Sequence, residues 1–92
     1  VQRDVAETLA LRALAWLAGN DELLPVFLGS TGAALSDLRG RARDPEFLGS
    51  VLDFLLMDDA WVTRFAAAEG VRPESLAAAR AALPGGGIPH WT

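Results

Sequence analysis

The chain has 92 residues, of which 51% are hydrophobic and 22% charged, with a net charge of −4. That is one domain's length, too apolar for disorder and too interrupted by charge for a membrane span. It holds 17 Ala, 15 Leu and 8 Arg but no Lys, Tyr or Cys, which excludes disulfides, thiolate metal sites, cysteine nucleophiles, Schiff bases and a P-loop. The acidic balance is also opposite to that of domains that grip phosphate backbones, so nucleic acid is a disfavoured partner.

Asp4 followed by Glu7 resembles a capping box, and Gly19-Asn20 supplies a left-handed stop, which predicts a first helix over 5–18. Asp4 and Glu7 also interrupt any signal-peptide core, so residence in the cytoplasm is expected. A second helix should start near Asp21, with Pro25 in or just after its first turn, and end near Thr31 between Gly29 and Gly32. A short third helix is expected over 35–42. Asp44-Pro45-Glu46 reads as an N-cap, a first-position proline and a first-turn acid, opening a fourth helix that runs to Met57. Asp58 caps a fifth helix over 59–69 that stops at Gly70, and Arg72-Pro73-Glu74 opens a sixth that ends at Leu83. No stretch alternates with period two, so no strand is predicted.

On the fourth helix Glu46, Ser50 and Asp53 form one narrow polar stripe, and apolar residues surround it, as in a buried central helix. The first helix presents Val5, Leu9, Ala13, Trp16 and Leu17 on one face, yet Leu11 and Ala15 lie on the side of Asp4 and Glu7. The fifth has a one-sided apolar set of Trp61, Phe65 and Ala68 with Val62 beside them. Sliding the chain by 38 residues superposes the first three helices on the last three. Leu9 meets Phe47, Leu14 meets Leu52, Trp16 meets Phe54, Leu17 meets Leu55, Asp21 meets Asp59, Phe27 meets Phe65, Gly32 meets Gly70 and Leu38 meets Leu76. This predicts a duplicated three-helix unit whose two long helices pack together at the centre.

Few residues carry chemistry. Phe65-Ala66 to Gly70-Val71 and Leu76 match the skeleton of a helix-turn-helix over residues 60–82, but its second helix offers Glu74, alanines and one arginine, Arg80. Alanines cannot read base edges. Asp53, Asp58 and Asp59 have the wrong offsets for a metal site, and two of them are better explained as helix-start acids. The sole histidine is His90, so no acid–base or nucleophilic constellation forms, and neither cofactor nor metal is expected. Two features point toward a partner. Arg39, Arg41 and Arg43 concentrate positive charge near the end of the third helix, with Arg39 and Arg43 on one face and Arg41 elsewhere, and they either complement the helix dipole beside Asp44 or meet an anionic partner surface. Ile88, His90 and Trp91 follow three glycines in a tail, 85–92, that either folds back or serves as a binding arm.

The run Ala10 to Ala18, Phe27-Leu28 to Gly32, Leu38-Arg39, Asp44-Pro45 with Phe47-Leu48, Val51 to Leu56, and Ala82-Leu83-Pro84-Gly85-Gly86 resembles a small alphaproteobacterial domain-of-unknown-function family. The resemblance covers nearly the whole chain and implies a compact helical cytoplasmic protein, with no activity attached. Where such sequences tend to carry Asp and Pro before the third helix, this one has Ala34-Leu35. The sequence thus predicts an all-α domain over 1–84, a bundle of five to six short helices followed by the tail. It is expected to act as a non-enzymatic interaction module, monomeric or homodimeric, with an unidentified protein partner and no membrane. The alternative is a helix-turn-helix regulator.

Overall fold

Alanine and leucine, strong helix formers, dominate residues 6–18. In the computed structural model of the protein, which describes residues 2–83, they form one long helix, α1 (Arg3–Ala18). The expected capping box is not made. The helix begins two residues earlier, with Gln2 at the N-cap, and Glu7 instead accepts a hydrogen bond from Arg3 Nε at 3.2 Å. An i,i+4 ion pair of this kind favours extending the helix over spending Glu7 on a cap. Nor does Gly19 turn left-handed: its φ is −91° and its N–H closes on Ala15 O. Asn20 takes over the transition, its Oδ1 accepting from the N–H groups of Glu22 and Leu23, both at 3.0 Å. The second helix, α2 (Leu24–Thr31), follows that turn, three residues later than predicted, with Pro25 in its first turn as expected.

The third segment is weaker than predicted. Leu35–Asp37 is a single 3₁₀ turn that leads into the short α3 (Leu38–Arg41). Lacking an Asp-Pro start, it is held by Asp37, whose carboxylate accepts the Ala34 N–H at 3.1 Å. The second half follows its punctuation closely. Asp44 accepts the Glu46 N–H at 3.0 Å and opens α4 (Pro45–Leu56); Asp58 accepts the Ala60 N–H at 2.8 Å and opens α5 (Asp59–Glu69). Each such cap contributes about 1 kcal/mol. The last helix is α6 (Glu74–Ala81). The fold is all-α, with no strand among the described residues.

The two long helices, α1 and α4, share the most extensive contact in the molecule. Leu9, Ala10, Ala13, Leu14 and Leu17 of α1 are buried, and so are the residues 38 positions later on α4, Phe47, Leu48, Val51, Leu52 and Leu55. Val5 does not join them and is 56% exposed. On α5 the buried residues are Val62, Phe65 and Ala66, while Trp61 is half-buried and Ala68 is exposed. The predicted face is therefore rotated toward Ala66.

Aromatic contacts tie the halves together reciprocally. Trp16 meets Phe65 edge-on, with ring centroids 5.7 Å apart and planes at 70°. Adding 38 to the first number and subtracting it from the second gives Phe54 and Phe27, which also meet edge-on, at 5.3 Å and 74°. A two-fold axis requires such exchange of partners, residue i with j and j with i. Gly32 and Gly70 obey the same relation, both closing helices in the left-handed region with φ of 74° and 69°. The third helices break it. Helix α6 packs on both α1 and α4, whereas α3 makes no comparable contact with either.

Gly32→Ala and Gly70→Ala each destabilise by about 1–2 kcal/mol because a Cβ is strained at positive φ. Gly29→Ala, inside α2 with open space around its Cβ position, stabilises by about 0.5–1 kcal/mol. Thermal melts that gave all three the same sign would contradict the backbone described here. Double-mutant cycles in urea on Trp16–Phe65 and Phe27–Phe54 should each return a coupling of about 0.5–1.5 kcal/mol. One coupled pair beside one uncoupled pair would break the two-fold relation.

Candidate functional site

Most charge on this surface is already engaged. Arg3 pairs with Glu7, Arg12 with Glu69 at 3.7 Å, Arg64 with Glu22 at 3.1 Å and Arg80 with Asp53 at 2.6 Å. Arg64 also lies over the Trp16 ring at 6.0 Å. These pairs are mostly exposed and each adds little stability, but they fix which cations are committed. Arg41, one of the three arginines singled out in the sequence, stacks its guanidinium over Phe47, 5.3 Å from the ring centroid. It serves packing. Arg39 and Arg43 are exposed and take part in no ion pair among the described residues. The cluster therefore splits, and only Arg39 adjoins a concave surface.

That surface is a groove between the C-terminal half of α1 and α3, with a volume of about 390 Å³. Leu11, Leu14, Ala15 and Ala18 form one wall, and Leu38, Arg39 and Ala42 form the other. Leu14 and Leu38 are buried at its floor, while Leu11 stands 42% exposed at its edge. Leu38 anchors the short helix to the core, which places Arg39 at the rim. A smaller hollow of about 280 Å³ lies among Val5, Thr8, Leu9, Arg12, Val71 and Ser75, where the cation, Arg12, is paired.

Of the three aspartates, Asp53 holds Arg80, Asp58 caps α5 and Asp59 lies in the first turn of that helix. No group of three His, Asp or Glu side chains suited to a metal ion occurs among the described residues. The segment that matches a helix-turn-helix in sequence folds as α5, the Gly70 turn and α6, with Leu76 and Ala79 of α6 buried against the long helices. Ile88, His90 and Trp91 lie outside the described residues. The one legible sign of the groove was Leu11 with Ala15 on the polar side of the first helix. Its far wall depends on how α3 folds back, which no local pattern specifies.

Residues 3–86 match the model of a family described as Protein of unknown function (DUF3572). The chain belongs to that family. No curated protein and no solved structure matches it. The matched span includes all six helices of this DUF3572 chain, so the groove is built wholly from family sequence. No helix among the described residues is long and apolar enough to cross a membrane.

The groove's edge and its floor should separate experimentally. Leu11→Asp, at a half-exposed helix position, should cost about 1–1.5 kcal/mol, whereas Leu38→Ala should cost about 2–5 kcal/mol. Chemical denaturation measures both. A large loss in Leu11→Asp would assign Leu11 to the core.

Proposed function

We propose that this DUF3572 chain is a non-enzymatic protein-interaction module of an alphaproteobacterial cytoplasm. It works without a cofactor, as a monomer or homodimer, and contacts its partner through the α1/α3 groove. The observation that carries this reading is the exposed Leu11 beside an apolar groove whose rim holds the uncommitted Arg39. An apolar hollow with one polar group at its edge suits binding, since burial supplies affinity and the polar group supplies orientation. Catalysis would need a base or nucleophile, and the groove walls offer leucine, alanine and arginine.

The alternative regulator reading is weaker. The face that α6 leaves exposed consists of Glu74, Ala77, Ala78 and Ala81, and its arginine is held by Asp53. A carboxylate and methyl groups neither attract phosphates nor read base edges.

Affinity purification with wild-type and Leu11→Asp baits tests the proposal, circular dichroism having first shown that both are folded. Wild type should retain a protein in stoichiometric amount that the variant loses. Equal retention by both baits, or a salt-sensitive gel shift with nucleic acid in place of any protein, would contradict it.

A further inference from the structure

The two-fold relation identifies what the groove lacks. On one side of the α1/α4 pair, α6 lies across both long helices, burying Leu76 and Ala79 and joining Arg80 to Asp53 of α4 at 2.6 Å. Subtracting 38 from Asp53 and Arg80 gives Ala15 and Ala42, which face the groove with methyl groups. The first half therefore has no counterpart of the ion pair that clamps α6. Subtracting the same offset from Gly49, which is buried on α4, gives Leu11, an exposed leucine where the second half has no side chain at all. The first half thus presents extra apolar surface and a looser third helix at the place where the second half is closed by a packed helix.

The charge around the groove is equally specific. The chain carries 12 acids against 8 arginines, and four of those arginines already pair with acids. Of the other four, Arg41 lies over Phe47 and Arg43 and Arg72 line neither hollow, so Arg39 is the arginine without an ion pair that lines one, on the wall of the larger of the two. We infer that the α1/α3 groove docks an acidic amphipathic helix of a partner protein. Leu11, Ala15 and Ala18 receive its apolar face above the buried Leu14 and Leu38, and Arg39 donates to its carboxylate. This rests on the interaction reading above and adds the partner's chemistry. The mode is that of a helix laid in a groove, with apolar anchors at i, i+3 or i+4, and i+7. The protein's own α6 is the structural precedent for a helix on the long pair.

The test uses the full chain and two synthetic amphipathic peptides with the same leucine spacing, one flanked by Glu and one by Lys. The acidic peptide should bind by fluorescence anisotropy about two- to fivefold more tightly than the basic one, the scale of one exposed ion pair. It should move amide resonances of Leu11, Ala15, Ala18, Leu38 and Ala42, and added salt should weaken it. Arg39→Glu should reverse the preference, and Leu11→Asp should abolish binding by both peptides. Four outcomes would overturn the assignment: equal binding of the two peptides, shifts confined to another face, the same shifts produced by decanoate in place of the peptide, or self-association in sedimentation that Leu11→Asp removes. If the peptides fail while the wild-type bait still retains a protein that Leu11→Asp loses, the acidic-helix assignment falls and the interaction reading stands. If no protein is retained either, both fall.

Discussion

Packing of α1 against α4 is the constraint from which the other placements follow. Each helix is apolar around most of its girth, and neither can bury that surface alone. Phe27 and Phe65, both fully buried, then close the pair from opposite sides, each reaching the long helix of the other half through an edge-on ring contact. Full burial of side chains this size contributes about 1.5–3 kcal/mol each. Because the partners are exchanged between halves, removing either half strips the other of its aromatic seal. The two halves thus share one core despite the repeated pattern.

Departures from that pattern concentrate where function is proposed. Helix α6 is clamped by Arg80 and Asp53 and covers both long helices, while α3 is one 3₁₀ turn and one α turn held chiefly by Leu38. A duplicated fold with two equally tight third helices would have no groove. Replacing a charged pair by two alanines and a glycine by leucine loosens one copy and makes its surface apolar. Stability therefore rests on the symmetric part of the structure, and binding is assigned to the part that breaks the symmetry.

Local chemistry made much of this legible. Asp44 and Asp58 cap the helices they precede, and Gly32 and Gly70 turn left-handed, because each of these roles depends on one residue and its immediate neighbours. The apolar helices and their 38-residue correspondence were legible too, since core positions repeat with the helical period. What failed involved competition between local options. Asp4 and Glu7 had a capping spacing, but Arg3 offered Glu7 an ion pair one turn earlier. Gly19 had a left-handed option, but Asn20 could cap the next turn with its side chain. For the site, Arg39, Arg41 and Arg43 looked alike in sequence, and only tertiary placement gave Arg41 to Phe47 and left Arg39 at a groove. The groove's leucines and alanines carry no chemical mark, so no motif could have identified them.

Native-state hydrogen exchange measured residue by residue tests the central claim most directly, because it reports whether the two halves open together or separately. Amides of residues 13–17 and 51–55 should share the same, highest opening free energy, equal to that of global unfolding, with α3 opening well below it. Protection of α4 through α6 that persists while α1 exchanges freely would show that the second half stands alone. That result would contradict a core held by reciprocal contacts across the α1/α4 pair.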